Sequence, residues 1–275
     1  MPETNTYAYT KAMLKSLTLI LALVILSASA RAEVLMENLT WMELRDQIAT
    51  GSTTVIVPIG GTEQNGPYMA LGKHNARVSF LAKLIAEKLG HTLVAPVIAY
   101  VPEGQIDPPT QHMKFPGTLS ISDATFISML KDTGRSLRHA GFKNIVLIGD
   151  HGGYQSDLTK VADSLNKEWA GKAKAVGLTQ YYALSRGPFS AFLRSSGFSD
   201  QDIGVHASGS DTSLELATAP DMVRADKLSD QKLATAANGI YGAGPAKATA
   251  ALGQKGVDLI VAGTVSAIQS AIGVQ

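Results

Sequence analysis

The stretch "TTVIVPIGGTEQNGPYMALGKHN" (53–75) joins an apolar run to a polar loop that is rich in glycine. Residues 53–59 are almost continuously apolar, which is typical of a β-strand covered on both faces. The loop that follows, 60–74, contains one carboxylate, Glu63, and one histidine, His74. A carboxylate between a buried strand and a glycine turn is unfavourable unless it has a polar partner or a metal ion. Glu63 is therefore either a structural cap or salt-bridge residue, or a metal ligand.

Predicted helices and strands alternate on either side of this stretch. Helices are predicted at 39–51, 75–90, 122–142 and 155–170, and further strands at 92–101, 144–150 and 174–182. This βαβ order predicts an α/β fold with a three-layer, mostly parallel β-sheet flanked by helices. In such sheets the functional loops lie beyond the carboxyl ends of the strands. Two loops, 60–74 and 149–154, have this position, and each contains a histidine.

The composition narrows the classes of partner. The chain of 275 residues has a net charge of +1 and no basic run, so nucleic acid is not indicated and a small-molecule substrate is the default expectation. It has no cysteine, which excludes disulfides and thiolate zinc sites. Any metal site must therefore use His, Asp, Glu or backbone groups.

The N-terminal segment has the pattern of a secretory signal. Lys11 and Lys15 precede the apolar run 17–26, and "SASARA" (27–32) ends in a small-residue cleavage pattern. The sequence predicts a signal peptide at 1–32, a single α/β domain at 33–275 and, in a bacterium, a periplasmic protein without stable membrane association. The apolar run is short for a membrane span. An uncleaved membrane anchor is the alternative, and Met13 is an alternative start to Met1.

Six histidines are the main candidates for chemistry. His91 and His139 lie beside or late in predicted helices and are expected at the surface. The others lie in loops rich in Gly, Pro or Ser: His74, His112, His151 and His206. Taken singly, each of these is more often structural than catalytic. However, two of them follow predicted buried strands, so Glu63, His74 and His151 can converge on one ion. Two imidazoles and one carboxylate suit Zn²⁺, Mn²⁺ or Fe²⁺.

The chain resembles the creatininase family of metal-dependent amidohydrolases. The resemblance runs from "LTWMEL" (39–44) to the C-terminal helix. It is carried by four elements in order: "GTEQNGPYMALGKH" (61–74), "HMKFPGT" (112–118), "GDHGGYQ" (149–155) and "HASGSDTS" (206–213). It implies a creatininase-like α/β fold, a hydrolase acting on a small molecule, and a homo-oligomer, often a hexamer.

The family site, as the resemblance implies, holds two metal ions bridged by an aspartate. Position by position, its first ligand set falls on Glu63, His74 and His151, with His74 in place of the aspartate. Its second ligand set is lost. Asn65 stands in place of a histidine, and the position of a glutamate, 153 or 209, is a glycine. A carboxylate can span two cations, whereas a neutral imidazole offers one lone pair. We therefore predict a mononuclear site of Glu63, His74, His151 and water, with zinc as the expected ion and manganese or iron as alternatives.

Further roles follow from the same resemblance. His206 matches the family histidine near the scissile bond and is the predicted general acid or base, with loop structure as its alternative role. Glu63 is assigned to catalysis as well as to the metal. Asp211 is predicted to orient a ligand or His206. The other residues predicted to line the pocket or support the ligands are Asn65, Tyr68, His112 and Asp150.

The predicted function is hydrolysis of a C–N bond in a linear or cyclic amide through a metal-activated water. One alternative is a non-catalytic periplasmic protein that binds a metal or a small ligand on the same scaffold. Another is a metal-dependent lactonase, lyase or isomerase. Creatinine itself is not expected as the substrate, because the two-metal arrangement is incomplete.

Overall fold

The structure, a computed structural model, describes residues 33–273. Within these residues, four parallel strands form one sheet. The order in space is β2–β1–β3–β4, with β1 (Thr54–Ile59), β2 (Thr92–Val94), β3 (Asn144–Gly149) and β4 (Lys174–Gly177). The two central strands pair along their whole length, from Thr54 opposite Asn144 to Ile59 opposite Gly149. Every residue of β1 is buried, which agrees with its continuous apolar sequence.

Helices cover both faces of this sheet. They are α1 (Trp41–Ala49), α2 (Lys73–Leu89), α3 (Asp123–Ala140), α4 (Gln155–Trp169), α5 (Gln180–Leu184), α6 (Ser190–Ser195), α7 (Asp200–Ile203), α8 (Gly209–Thr218) and α9 (Ala250–Ile272). Two helices begin at a side-chain cap: Thr40 forms a capping box with Glu43 at α1, and Ser122 caps α3. Within residues 33–273, none of the helices combines the length and apolar character needed to cross a membrane.

Alternate residues of β1 face two separate cores. Ile56 packs into one core with Val78 of α2 and Ile260 of α9. Val55 and Val57 pack into the other core with the apolar faces of α3 and α4. This alternation is the period of two that a strand imposes on its side chains. The sheet therefore lies between two layers of helices, and the predicted α/β fold is confirmed.

Most boundaries agree with the prediction to within two residues, and three of the differences bear on the sheet edge. The second strand ends at Val94, although Ile98 still forms an isolated bridge with Ile59. The fourth strand ends at Gly177, and residues up to 182 enter α5, where the Tyr181 hydroxyl donates a hydrogen bond to Asp150. Helix α2 begins at Lys73 instead of at residue 75, because its first turn buries polar side chains that do not continue the apolar pattern. His74 is thus helical. The predicted signal peptide, 1–32, lies outside the described residues.

Candidate metal centre

The predicted site residues gather at the carboxyl edge of the sheet. Glu63 follows β1, His151 follows β3, and His206 precedes α8. His112 lies in a short 3₁₀ turn, Gln111–Lys114, in the long segment after β2. Since the carboxyl ends of parallel strands meet at one edge, loops that are far apart in sequence reach a common point there.

Four side chains with metal-ligand atoms lie close together at this edge: Glu63, Glu103, His112 and His151. One ligand atom from each lies within 4.8 Å of the others. The Oε2 atom of Glu63 is 3.2 Å from Nε2 of His112 and 3.5 Å from Nε2 of His151. The same nitrogen of His151 is 3.6 Å from Oε2 of Glu103. We call these residues the four-residue cluster.

The two carboxylates of the cluster are fully buried and only partly satisfied. Oε2 of Glu63 and both carboxylate oxygens of Glu103 have no hydrogen-bond partner. Burial, followed by the charge of Glu63, raises the pKa of Glu103 to about 10. Burial alone would also raise the pKa of Glu63, but His74 and Lys73 outweigh it and hold that pKa well below its usual value. In the metal-free protein Glu103 is therefore a neutral acid beside the charged Glu63. A divalent cation in place of its proton would satisfy both buried side chains, so this pair has the chemistry of a cation site.

The cluster fits a divalent metal ion in its donor types. Burial lowers the pKa of both His112 and His151, the latter to about 4, so both imidazoles are neutral. Nδ1 of His151 accepts a hydrogen bond from the backbone of Gly153, so its Nε2 would bind a cation in exchange for its proton. Two imidazoles with two carboxylates suit zinc, manganese or iron. The backbone makes room for Glu103 at Gly61, where a Cβ atom would lie 2.5 Å from Oε1 of Glu103.

His74 lies beside the four-residue cluster and not within it. Its Nε2 is 2.7 Å from Oε1 of Glu63, and its Nδ1 is 2.6 Å from Oδ2 of Asp150. Burial and Lys73 disfavour a charged imidazole here, but Glu63 and Asp150 outweigh them and raise the pKa of His74. The guanidinium of Arg77 also lies 3.1 Å from Nδ1 of His74. The predicted set of Glu63, His74 and His151 therefore comes together in space, with both ring nitrogens of His74 in contact with carboxylate oxygens.

Two cations support this arrangement from the first turns of α2. Nζ of Lys73, which is fully buried, is 3.1 Å from Oδ2 of Asp211 and 3.6 Å from Oε1 of Glu63. Arg77 contacts Asp150 at 2.7 Å and Asp211 at 3.3 Å. Desolvation opposes the charge on Asp211, but Lys73 and Arg77 hold its pKa well below the usual value. These ion pairs hold the carboxylates of Glu63, Asp150 and Asp211 in place.

His206 is held by the loop that carries Glu63. Its Nε2 lies 2.9 Å from the backbone oxygen of Gln64 and 3.1 Å from the side-chain amide nitrogen of the same residue. Its Nδ1 is 3.6 Å from Oε1 of Glu63. Burial and then Lys73 lower the pKa of His206 to about 3. Asp211 accepts a hydrogen bond from the backbone of Ala207, which has a positive φ of 53°, and so stabilises the turn that carries His206.

A small cleft opens above the four-residue cluster. It has a volume of about 180 Å³, and His112 and His151 belong to both its wall and the cluster. Of the other residues predicted to line or support the pocket, Asp150 and Asp211 border the cleft. Asn65 and Tyr68 do not. The Asn65 amide donates to the backbone oxygens of Glu63 and Ala70, and the Tyr68 hydroxyl donates to that of Asp230.

Three residues of the site were not among the predicted ones: Glu103, Lys73 and Arg77. Glu103 had a usable signal, because it follows the apolar run 92–102 and precedes a glycine, as Glu63 follows β1. Lys73 and Arg77 are spaced as neighbours on one helix face, but nothing in the sequence marks that face as buried against carboxylates.

Buried carboxylates and imidazoles at the strand ends of an α/β sheet define a metal-dependent enzyme. The chain belongs to the creatininase family: the family model described as creatinine amidohydrolase matches residues 37–268. Members of this family are metal-dependent hydrolases, and this chain is an enzyme of that class.

Individual relatives agree with this assignment. The chain is 30% identical over 206 residues to a creatinine amidohydrolase of Pseudomonas putida, covering 74% of this chain and 78% of that protein. It is 30% identical to a mycofactocin precursor peptide peptidase of Mycolicibacterium smegmatis, over 63% of this chain and 61% of that one. A manganese form of creatininase superposes with a TM-score of 0.73 at 28% identity, covering 86% of this chain and 98% of the other. A zinc–zinc form of a creatininase variant gives 0.72 at 27% identity with the same coverage.

Proposed function

We propose that the protein is an exported hydrolase of a C–N bond in a small linear or cyclic amide, and that it works with a single divalent metal ion. The observation that carries this proposal is the four-residue cluster, two of whose residues, His112 and His151, line the cleft. The relatives named as a creatinine amidohydrolase and a peptide peptidase both act on C–N bonds, which supports the choice of bond.

The proposal of a single ion rests on what has replaced the ligands of a second one. The Asn65 amide is occupied by two backbone oxygens of its own loop. Positions 153 and 209 are glycines and offer no side-chain ligand. Among residues 33–273, the ligand atoms that lie close enough to share an ion form one group of four. Zinc is the expected ion, with manganese or iron as alternatives.

Different residues at the site would bind the metal ion and transfer the proton. A divalent ion held by the cluster would polarise a carbonyl group and lower the pKa of a water to about 7. His74 and Lys73 hold Oε1 of Glu63, which leaves Oε2 facing His112 and His151. His206 is neutral, and its Nε2 is in contact with Gln64, so Nδ1 is the ring nitrogen that would accept a proton from a group in the cleft and return it to the leaving nitrogen.

The size of the cleft favours a small substrate. Sites for drug-sized ligands have volumes of about 300–1,000 Å³, whereas this cleft has about 180 Å³. Two exposed side chains, Arg186 and Tyr241, border it. A compact amide fits this space better than a long peptide.

Export to the periplasm is supported by the basic, apolar and small-residue order of the segment 1–32. Intact mass measurement of the protein recovered from the periplasmic fraction tests it. Cleavage after Ala32 gives a chain that begins at Glu33. A full-length chain in the membrane fraction would instead support the anchor.

Metal analysis followed by a substrate panel tests the activity. We expect about one ion per chain, turnover of at least one linear or cyclic amide, and loss of that turnover after chelation. Turnover of lactones alone would support the lactonase alternative. Metal binding without turnover of any amide, lactam or lactone would support the ligand-binding alternative. Two tightly bound ions per chain would contradict the single-ion proposal.

A further inference from the structure

We propose that Glu103 and His112 complete the coordination of the metal ion together with Glu63 and His151, and that His74 is a positioning residue instead of a ligand. This inference rests on the proposed function, because it specifies where the ion of that site is bound. It differs from the ligand set that the family resemblance implies, in which position 74 supplies a ligand and positions 103 and 112 do not.

The first argument is that the two oxygens of the Glu63 carboxylate face different side chains. Its Oε1 atom contacts His74 at 2.7 Å and Lys73 at 3.6 Å. Its Oε2 atom has no hydrogen-bond partner and lies 3.2 Å from His112 and 3.5 Å from His151. The free oxygen of Glu63 therefore faces the two imidazoles, on the side away from His74.

The second argument is the isolation of Glu103. Its side chain is fully buried, and neither carboxylate oxygen has a hydrogen-bond partner. Of the ion pairs found among residues 33–273, the one that involves Glu103 is with His151, at 3.6 Å, and none is with a lysine or arginine. Lys73, the nearest buried amine to this pair of carboxylates, is committed to Asp211 and Glu63. A cation between Glu63 and Glu103 would satisfy three buried oxygens at once.

The third argument is the state of His74. Both of its ring nitrogens lie within 2.7 Å of carboxylate oxygens, those of Glu63 and Asp150. Asp150 is itself held by Arg77 and by the Tyr181 hydroxyl, so this chain of contacts is fixed at its far end. A histidine held between two carboxylates orients Glu63, and both of its ring nitrogens already have a partner other than a metal ion.

Zinc and cobalt binding to the metal-stripped protein test this inference. Zinc affinity and stoichiometry are measured by calorimetry, and cobalt is followed by its visible absorption, which reports the atoms bound to the ion. We expect Glu103→Gln and His112→Ala each to weaken zinc binding at least about 100-fold and to change the cobalt spectrum. His74→Gln should weaken binding by about 10-fold, as expected for a residue that orients a ligand, and leave the cobalt spectrum unchanged.

Glu215→Gln is the matched control. Glu215 is also fully buried with both carboxylate oxygens unpartnered, but it lies in α8 outside the four-residue cluster. Its variant should bind zinc as the wild type does. Circular dichroism of each metal-free variant verifies the fold, and His112, which is partly exposed, provides the second test if Glu103→Gln does not fold.

Two results would overturn the inference. One is wild-type zinc affinity in Glu103→Gln. The other is a cobalt spectrum that responds to His74→Gln and not to Glu103→Gln. Both are distinct from failure of the proposed function. A protein that binds zinc through Glu103 but hydrolyses no amide would refute the function and keep the site, whereas an active Glu103→Gln enzyme with normal metal content would refute the site alone.

Discussion

Nε2 of His74 lies 2.7 Å from Oε1 of Glu63, and Nδ1 of the same ring lies 2.6 Å from Asp150. One imidazole thus bridges two buried carboxylates. Burial and Lys73 oppose a charge on His74, but Glu63 and Asp150 outweigh them and raise its pKa, and the ring lies between two negative charges that would otherwise repel each other. The contacts of His74 therefore link the stability of the metal-free protein to the position of the Glu63 carboxylate.

Replacing His74 by alanine should destabilise the metal-free protein by about 3 kcal/mol, because removing one partner of a buried ion pair leaves the others uncompensated. Urea unfolding followed by circular dichroism measures this change. His139→Ala is the control, since His139 is exposed late in α3, and it should cost less than about 0.5 kcal/mol. Equal stabilities of the two variants would show that His74 is not part of a buried ion pair.

Replacing His206 by alanine should lower kcat of the metal-loaded enzyme about 100- to 10,000-fold on the amide that the substrate panel identifies. Zinc content should stay at the wild-type level, because His206 is outside the four-residue cluster. The pKa of His206 is lowered to about 3, so the residue is neutral above about pH 4 and should produce no acid limb in the rate between pH 5 and 8. A variant that loses zinc in parallel with activity would reassign His206 as a ligand.

The central strand and the order of helices were predictable because they depend on local pattern. The run 53–59 is apolar throughout, and both faces of β1 are in fact covered. The fourth strand was predicted too long because its end is decided at long range. Tyr181 is drawn into α5, where its hydroxyl reaches Asp150. Sequence order does not show a contact between elements that are 31 residues apart.

The site was predictable in its residue types and only partly in its geometry. The loops that carry Glu63, His112, His151 and His206 were identified, and they do meet at one edge of the sheet. Whether a histidine can bind a metal depends on what occupies each ring nitrogen, as the contacts of His74 show. The sequence contains no record of that occupancy. The ligand roles of His74 and His151 stay predictions until metal binding is measured.

Replacing Glu215 by glutamine should flatten the pH dependence of stability. Burial, opposed by Arg77, raises the pKa of Glu215 to about 7 from an ordinary value of 4.5. Below about pH 4.5 the carboxyl is protonated in both states. As the pH rises to about 7 the unfolded chain releases its proton first, so stability falls by about 3 kcal/mol. Unfolding free energies at pH 4.5 and pH 8 for both proteins measure this. If the unfolding free energy of Glu215→Gln falls as much between pH 4.5 and pH 8 as that of the wild type, Glu215 is not the group responsible.

Replacing Gly61 by alanine should weaken zinc binding at least about 10-fold. Gly61 has a φ of +154°, and an added Cβ would lie 2.5 Å from Oε1 of Glu103 and 3.2 Å from Val101, so the carboxylate must leave its present position. Gly171→Ala is the matched control, because Gly171 also has a positive φ, +84°, but its Cβ would have no atom within 4 Å. Both variants should lose about 1 kcal/mol of stability from backbone strain, and only Gly61→Ala should lose zinc affinity in calorimetry. If both variants bind zinc equally well, Glu103 does not need the space that Gly61 leaves, and its place beside the ion is not the one described above.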